Sequence, residues 1–540
     1  MDTLVPIEAG AMPGRTVIQW DKNDIEDLRL FKVDLLGLGA LTHVHRALDL
    51  IRDHYGRALT LATIPAEDPA TYAMLQRADT VGVFQIESRA QMAMLPRLRP
   101  ETFYDLVIEV ALVRPGPIQG DMVHPYLRRR CGEEPVTFPH PDVARTLGKT
   151  LGVPLFQEQV MRLAILLADY SPGEADRLRR DMGSSFRSTA SKIDAHHDRI
   201  VGRMITRGVE PEFAERLFAQ IRGFGEYGFP ESHAASFAII AYASAWLRRH
   251  YLAAFTCALL NAQPMGFYSP ATIVDDGKRR GLEFRPIDVQ RSRWECTLEP
   301  GPKDMAIRMG LSYVRGLSID DRAALEAELG DDDEGPRFKS AEDFVRRTQI
   351  GRDALHALAE AGAFRAFGIH RREAIWKIRG LQAQAQDSLR LGDPDALDDL
   401  PLFAPLSRKE AIVWDYKRSG HSTHGHPMAA ARPLLQRLGM LDASAVRALG
   451  DGATVEVVGV PICRQRPGTA KGVTFYTLED EAGFVNVVVW AAVFERYAVV
   501  AKTAVLLGVS GRVQRSREGV VHVIADALWD ARAQLRERAS

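Results

Sequence analysis

Residues 454–462 read TVEVVGVPI, and four runs of the same kind follow: GVTFYTLED (472–480), FVNVVVW (484–490), AVLLGVSGRV (504–513) and VVHVIA (520–525). Apolar residues recur in these runs with a period of two, which is the period of a half-buried β-strand. AAVFERYAVV (491–500), between the third and fourth runs, has a helical pattern. Five short strands with a helix in that position predict an OB-type β-barrel over residues 450–530.

Before the barrel, the hydrophobic period is that of helices. LTHVHRALDLIRDHYG (41–56) and EQVMRLAILLADY (158–170) repeat their apolar residues every three to four positions, so a mostly helical body is predicted over 41–304. A second helical region, 305–385, is interrupted by GDDDEGP (330–336), which we expect to be a solvated turn. Within that region ALHALAEAGAFRAFG (354–368) and HRREAIW (370–376) resemble helix-hairpin-helix units, whose glycine turn lets backbone amides approach a DNA phosphate.

Three segments lie outside these regions. Residues 386–449 begin with a polar, Asp-rich linker, and residues 531–540 form a short tail. Residues 1–40 end in LRLFKVDLLGLG (28–39), which we predict to be a strand. Forty residues are too few to bury a core of their own, so this piece is expected either to dock on the helical body after it or to have lost a segment before it.

The composition limits the classes of partner. The 540 residues are 46% hydrophobic, enough for several cores, and 69 Lys and Arg balance 70 Asp and Glu, so any nucleic-acid surface has to be local. The four cysteines form no CxxC pair, which argues against a zinc knuckle or a disulfide framework. No run approaches the roughly 20 apolar residues of a membrane span. We therefore expect a soluble, cytoplasmic protein without a membrane partner.

Strand alternation would place Lys32 and Asp34 on the same face of FKVDLLGL (31–38). A carboxylate there can bind Mg²⁺ while the lysine reaches a triphosphate, as two-metal phosphoryl transfer requires. The spacing by itself favours the alternative, which is an ordinary ion pair.

The segment SPGEADRLRRDMG (171–183) has the pattern of a capped helix, with Ser171 as N-cap and Glu174 three residues later. Arg177 and Arg180 lie three residues apart on one face of this helix with Arg179 beside them, and a guanidinium fork suits phosphate oxygens. A solvated arginine face is the alternative.

Two turn-rich segments carry further candidates. Arg114 in VRPGPIQGDMV (113–123) precedes two prolines, so its side chain projects from a rigid loop, with a functional role and a helix-capping role equally open. In FGEYGFPESHAAS (224–236) Ser232 is the expected N-cap of a long apolar helix and His233 lies in its first turn. That helix end favours an anion, although a structural histidine is the commoner case.

The predicted barrel combines cations with aromatic residues. Arg464, Arg466 and Lys471 lie in the same stretch as Phe475, Tyr476 and Trp490. Cations beside aromatic rings bind single strands by backbone attraction and base stacking. Some of these rings have to belong to the barrel core.

Taken in order, six segments resemble the C-family of bacterial DNA polymerases, the family of the DNA polymerase III alpha subunit: FKVDLLGLGALT, GVFQIESRAQM, LVRPGPIQGDMV, GVPLFQEQVM, ADRLRRDMG and YGFPESHAASFAIIAY. QPMGFYSPATIVDDGKRRG (263–281) and RQRPGTAKGVTFYTLEDEAG (464–483) resemble its error-prone branch. The resemblance extends over nearly the whole chain and corresponds to the C-terminal two-thirds of such a polymerase.

The resemblance implies a multidomain α+β protein. Its parts would be the end of a polymerase-beta-like palm (1–40), mostly helical fingers (41–304), a helix-hairpin-helix region (305–385), a linker with a candidate clamp-binding peptide (386–449), an OB-fold (450–530) and a tail (531–540). The implied activity is that of a DNA-directed DNA polymerase, a nucleotidyltransferase, acting in damage-induced mutagenesis and translesion synthesis.

The family's functional residues can be carried over by position. Asp34 resembles the third catalytic, metal-binding aspartate of the palm, and Lys32 resembles the lysine beside it that contacts the incoming nucleotide. Arg179 and Arg180 resemble the fingers arginines on the triphosphate, and His233 resembles a histidine near the nucleotide. Mg²⁺ is the implied cofactor.

Three more residues lie in motifs that line the family's active site and template groove, namely Ser88, Arg89 and Arg114. The implied partners are a DNA template-primer and deoxynucleoside triphosphates. DLPLF (399–403) is similar to a sliding-clamp-binding peptide but lacks its leading glutamine. Members of the error-prone branch also work with mutagenesis accessory proteins, and no segment of this chain identifies such a contact.

The chain departs from the family in its carboxylates. The family has a D-x-D pair on an earlier palm strand, after a PHP domain, and DKNDIED (21–27) is a poor substitute for it. Two Mg²⁺ ions about 3.5 to 4 Å apart need several carboxylates, so we expect the isolated chain to lack primer extension. The first hypothesis is therefore a truncated or split error-prone polymerase. A non-catalytic DNA-binding protein and a gene remnant are the alternatives.

Overall fold

The computed structural model describes residues 4–10, 16–20, 22–28, 30, 36–113, 123–183, 193–223, 230–329, 337–386, 403–467, 470 and 472–532. The chain divides into two compact units. The first comprises Met1–Leu41 and Val110–Ala235, and the second comprises Thr42–Glu109 and Ser236–Ser540. Each unit joins segments that are distant in sequence, and the domain boundaries given above stay predictions.

Helices make up most of the described residues. In chain order they are α1 (Lys22–Asp27), α2 (Leu36–Tyr55), α3 (Pro69–Gln76), α4 (Arg89–Leu98), α5 (Phe103–Leu112), α6 (Val123–Arg130), α7 (Pro141–Leu147), α8 (Gln157–Ala168), α9 (Pro172–Gly183), α10 (His197–Thr206), α11 (Pro211–Gly223), α12 (Glu231–His250), α13 (Leu252–Asn261), α14 (Pro270–Arg279), α15 (Ile319–Leu329), α16 (Ala341–Thr348), α17 (Arg352–Ala361), α18 (Arg371–Gln386), α19 (Arg408–Ser419), α20 (Pro427–Arg437), α21 (Ala443–Ala448), α22 (Ala491–Arg496) and α23 (Ala498–Thr503). Short 3-10 helices lie at Gly148–Thr150, Leu311–Tyr313 and Arg365–Phe367.

The strands in the described part of the chain form three sheets. They are β1 (Ile7–Ala9), β2 (Thr16–Ile18), β3 (Phe284–Arg285), β4 (Thr297–Pro300), β5 (Met305–Arg308), β6 (Thr454–Gln465), β7 (Thr474–Asp480), β8 (Gly483–Val489), β9 (Leu507–Arg515) and β10 (Val521–Asp530). β1 and β2 pair antiparallel in the first unit, and β3, β5 and β4 form a small mixed sheet in the second. The last five strands close into a barrel in the order β10-β8-β7-β6-β9.

The barrel confirms the prediction made from the alternating runs. Neighbouring strands are antiparallel except for β10 and β8, which are parallel. Alternation points Tyr476 and Leu478 of β7 into the core, where they meet Val485 and Val487 of β8. The predicted helical segment lies between β8 and β9, as expected, but forms the two short helices α22 and α23.

The start of α2 differs from the prediction. The helix begins at Leu36, so Leu36–Gly39 of the expected strand belong to its first turn. A short apolar run is compatible with either structure, and leucine is a good helix former. The following residues continue with a helical period, in which Val44, Ala47 and Ile51 are buried. The helix predicted over 41–56 is therefore confirmed, with an earlier beginning.

The helix-hairpin-helix prediction is also confirmed. α17 and α18 are joined by a turn in which Gly362 and Gly368 have φ angles of +79° and +77°. A Cβ atom built on Gly362 would lie 2.5 Å from Nε of Arg371. The left-handed backbone conformation therefore favours glycine there, and a Cβ atom would also require the end of the Arg371 side chain to move.

Two expectations from composition can be compared with the described residues. The four cysteines are free thiols. Among the residues that the structure describes, no helix combines the length and the apolar character that a membrane crossing would need. The acidic segment 330–336 and most of the 386–402 linker lie outside the described residues.

Candidate nucleotide and nucleic-acid sites

The start of α9 is fixed by the capping box that the sequence predicted. The backbone amide and the hydroxyl of Ser171 donate to the Glu174 carboxylate over 2.9 and 3.0 Å, and the Glu174 amide donates back to the Ser171 hydroxyl. Arg199 donates to the same carboxylate. Together these bonds hold the pKa of Glu174 near 2, with the bond from Arg199 contributing most. The helix that carries the candidate arginines therefore has a well-defined beginning.

Arg179 and Arg180 form one exposed group around a single carboxylate. Arg179 Nε donates to Oδ1 of Asp176 and Arg180 Nε donates to Oδ2, each over 3.0 Å. The two arginine side chains are 43% and 71% exposed. The bonds from Arg180 and then Arg179 lower the pKa of Asp176. Two guanidinium groups beside one carboxylate leave a net positive surface that can donate hydrogen bonds to phosphate oxygens.

His233 lies exposed in the first turn of α12, as predicted. The helix begins at Glu231, however, so Ser232 lies within the first turn instead of preceding it. The backbone amide of Glu231 donates over 3.0 Å to the carboxylate of Glu158. A side chain from α8 thus satisfies the helix end that Ser232 was expected to cap, and the end holds a negative group, as its dipole favours.

Ser88 and Arg89 begin α4. The Ser88 side chain and Gln91 form a capping box. Arg89 reaches the barrel, where its Nη1 donates over 3.1 Å to the carbonyls of Tyr476 and Val487, and its guanidinium lies 4.8 Å from the centre of the Phe475 ring. Burial lowers the pKa of Arg89 to about 10. In this structure Arg89 joins a helix to the barrel, and its place in a template groove stays a prediction.

The contact between α14 and the barrel was not visible in the sequence. Arg279 donates through both Nη atoms to one oxygen of Glu479 over 3.0 Å, and the hydroxyl of Thr272 donates to the other oxygen over 2.8 Å. Burial raises the pKa of Glu479 to about 7, and Arg279 counteracts part of that effect. Alternation places Glu479 on the outer face of β7, and this outer face is covered by α14.

An aromatic pair completes the same interface. Tyr268 stacks on Phe484 of β8 with a ring distance of 5.9 Å and an angle of 7°. Arg279 belongs to segment 263–281 and its partner Glu479 to segment 464–483, whereas Phe484 lies one residue past the second segment. The two segments that resemble the error-prone branch therefore meet, although they are about 200 residues apart.

The structure sorts the aromatic residues of the barrel. Tyr476 is part of the core and donates its hydroxyl to the Ala501 carbonyl, and Phe475 lies under Arg89. Trp490 is 54% exposed. Among the predicted cations, Arg464 donates to the Ala504 carbonyl and the Arg466 guanidinium lies 5.0 Å from the centre of the Phe494 ring.

Four predicted site residues lie outside the described residues: Lys32, Asp34, Arg114 and Lys471. Across the part of the chain that the structure describes, no group of three or more His, Cys, Asp or Glu side chains is placed to hold a metal ion. The described residues therefore do not provide a Mg²⁺ site.

Three family descriptions match this chain. Residues 40–208 match the bacterial DNA polymerase III alpha subunit finger domain, residues 281–374 match a helix-hairpin-helix motif, and residues 454–530 match an OB-fold nucleic acid binding domain. The second match contains α17 and the turn that leads to α18, and the third coincides with the closed barrel.

Curated relatives match almost the entire chain. The chain is 48% identical to the error-prone DNA polymerase of Methylococcus capsulatus over 97% of its length, 50% identical to that of Pseudomonas paraeruginosa over 98%, and 51% identical to that of Alkalilimnicola ehrlichii over 98%. It spans 50 to 51% of the length of these relatives, which is less than the two-thirds that the motifs implied. Over nearly its whole length, the chain is thus homologous to about half of each of these error-prone DNA polymerases.

Proposed function

We propose that the chain provides the fingers, helix-hairpin-helix and OB-fold parts of an error-prone DNA-directed DNA polymerase that acts on a template-primer with deoxynucleoside triphosphates. The observation that carries the proposal is the identity of about 50% over 97 to 98% of the chain. We further propose that this polymerase copies damaged template and so acts in DNA repair and induced mutagenesis. The names of the relatives support error-prone synthesis for those proteins.

The α9 arginines are the proposed triphosphate contacts. Asp176 holds Arg179 and Arg180 side by side, which reduces the side-chain entropy lost when both bind one ligand. The bonds to Asp176 use Nε and Nη2 of each guanidinium, so Nη1 of each arginine can donate to a phosphate oxygen while Asp176 stays bound. His233, exposed in the first turn of α12, is proposed to lie near the same nucleotide.

Catalysis is proposed to need carboxylates in addition to Asp34. Asp34 would bind Mg²⁺ and Lys32 would contact the nucleotide, whereas the described residues hold no metal site. No catalytic step therefore follows from their geometry. A sliding clamp at 399–403 and mutagenesis accessory proteins are further proposed partners, and of that peptide only Phe403 lies within the described residues, 6.1 Å from the Trp376 ring.

The proposal is tested by template-dependent nucleotide binding. A fluorescent deoxynucleoside triphosphate is titrated into the 540-residue chain with a primer-template whose next base either matches or mismatches it. The matching nucleotide should bind more tightly. Equal binding of both, or binding that requires no DNA, would contradict a polymerase site.

Primer extension tests whether this chain has enough carboxylates to hold two Mg²⁺ ions. With Mg²⁺ and all four nucleotides, the chain by itself should extend no primer, because a single matching aspartate cannot hold two metal ions. Template-directed extension that the Asp34→Ala variant abolishes would show that expectation to be wrong.

A non-catalytic DNA-binding protein is the second candidate, favoured by the lack of a metal site among the described residues together with the presence of the barrel and the helical hairpin. It predicts strong, salt-dependent binding to single-stranded DNA. It also predicts no preference for the matching nucleotide in the titration, so the same experiment separates the two candidates.

A further inference from the structure

The face that OB-folds often present to oligonucleotides is covered in this chain. That face is formed by the second and third strands of the barrel, which here are β7 and β8. On it, Arg89 lies over Phe475, Arg279 binds Glu479, and Tyr268 stacks on Phe484. A single strand that binds the barrel therefore has to use another surface.

An open cleft of about 710 Å³ lies beside the covered face. Its walls are the segment after α3, α4, the end of α14, the end of α21, the β7–β8 hairpin and the β9–β10 loop. The β9–β10 loop is also a loop that OB-folds use for nucleic acids. Four arginines line it, at positions 77, 279, 280 and 447, against the two aspartates Asp79 and Asp276. The cleft therefore carries an excess of positive charge.

Two of these arginines are available to a ligand. Arg279 and Arg280 are paired with carboxylates. Arg77 is exposed and forms no ion pair with any residue that the structure describes. Arg447 is exposed and donates to the carbonyls of Ala482 and Phe484 over 3.1 and 3.5 Å, so its charge faces no carboxylate within the described ranges.

The lining favours phosphates over bases. Phe484 is the aromatic residue of the cleft, and it is already covered by Tyr268 and by the Arg279 guanidinium at 5.1 Å. The remaining apolar lining is aliphatic and includes Met92, Pro96 and Val520. A site with cations and no open ring can bind a sugar-phosphate backbone but offers no platform for base stacking.

We propose that this cleft binds the backbone of a single DNA strand, with Arg77 and Arg447 as phosphate contacts. The inference rests on the proposed function, since a polymerase has to hold unpaired template. It places the strand next to the β9–β10 loop, beside the barrel face that α4 and α14 cover. Because no base is stacked, binding there is independent of sequence.

The test is fluorescence anisotropy with labelled oligo(dT) and oligo(dA) of equal length over a series of salt concentrations. Each phosphate contact with a single strand contributes about 0.7 to the slope of log K against log salt. The Arg77→Gln/Arg447→Gln variant should therefore reduce the slope by about 1.4, equally for both oligonucleotides. Arg77→Gln by itself should reduce it by about 0.7, and this variant removes no bond that holds the fold.

Arg52→Gln is the matched control, because Arg52 is an exposed arginine of α2 in the same unit and does not line the cleft. Its slope should equal that of the unmodified chain. If the unmodified chain binds but the double variant keeps the full slope, the cleft is excluded and the proposed function stands. If Arg466→Gln reduces the slope while Arg77→Gln does not, the cleft is likewise excluded. Absence of any binding by the unmodified chain would overturn both proposals.

Discussion

Arg248 and Arg279 differ from Arg179 and Arg180 in burial, although all four pair with carboxylates. Arg248 is 3% exposed and lies between Asp79 at 2.8 Å and Asp276 at 2.7 Å, and Arg279 is 17% exposed against Glu479. The side chains of Arg179 and Arg180 are 43% and 71% exposed. A buried charge without a partner is costly, whereas an exposed pair contributes little to stability. The buried arginines therefore serve the fold, and the exposed ones are free to serve a ligand.

The largest effect is expected when the buried pair at the barrel is broken. Glu479→Ala leaves Arg279 in a buried site without its carboxylate, and such a change costs about 3 to 5 kcal/mol. Urea unfolding followed by tryptophan fluorescence measures the loss. Arg180→Gln, which changes an exposed pair, should stay within about 0.5 kcal/mol of the unmodified chain. Similar losses from both variants would remove the distinction between the two groups.

The pH dependence of the free energy of unfolding should have opposite signs for a buried carboxyl, Glu87, and for the more exposed carboxyl of Asp176. Burial raises the pKa of Glu87 to about 7 from the ordinary 4.5, although the amides of Gly82 and Phe267 donate to it. The folded state thus holds a proton that the unfolded state releases, so this group's stabilisation is present below pH 4.5 and is lost as the pH rises to 7. Relative to Glu87→Gln, the unmodified chain should lose about 3 kcal/mol over that range.

Asp176 provides the opposite case for comparison. Its pKa is lowered by Arg180 and Arg179, so its contribution is present above its ordinary value of 3.8 and is lost as the pH falls. Unfolding of Asp176→Asn measured at the same pH values should show a difference from the unmodified chain that grows with pH. A difference that shrinks with pH would mean that the arginines do not hold Asp176 ionised.

Nucleotide affinity should respond to the exposed arginines and not to the buried ones. Replacing both Arg179 and Arg180 by glutamine removes charge-assisted bonds to the triphosphate, with an expected loss of about 2 kcal/mol, or about thirtyfold in Kd. The labelled-nucleotide titration measures it. Arg52→Gln serves as the control and should leave Kd unchanged.

The smallest effect concerns a helix cap at the interface. Ser88→Ala removes the side-chain acceptor at the start of α4 and should cost about 1 kcal/mol. Thermal unfolding at fixed pH detects a change of that size. Ser88→Asp, which keeps an acceptor, should restore most of the stability. A loss of nucleotide or DNA binding by Ser88→Ala at unchanged stability would instead support the groove role predicted for Ser88.

Local patterns in the sequence were sufficient for the parts of the fold that depend on neighbours in the chain. The capping box of Ser171 and Glu174, the glycine turn at Gly362 and the alternation of the barrel strands all involve residues a few positions apart. The sequence predicts a strand at the first turn of α2, because a short apolar run fits both periods.

The barrel interface could not be predicted in the same way, because its partners are remote in sequence. Arg89 contacts a strand 387 residues away, and nothing near Arg89 distinguishes it from a solvated arginine. Glu479 occupies an outward position on β7, which alternation alone assigns to water. Its burial follows from the docking of α14, which is a property of the tertiary structure. Of the candidate sites, the arginines of α9 could be predicted from the sequence, because they lie on one helix. The cleft could not, because its lining residues come from remote segments.

The contact between segments 263–281 and 464–483 has a consequence for protein engineering. Arg279 and Thr272 of α14 both bind the Glu479 carboxylate of the barrel. A chimera that receives a foreign barrel but retains its own α14 would therefore pair two surfaces that do not match. Grafting both segments together preserves the matched pair. The unit of exchange in this chain is therefore an interface made of two separate stretches, and not a continuous domain.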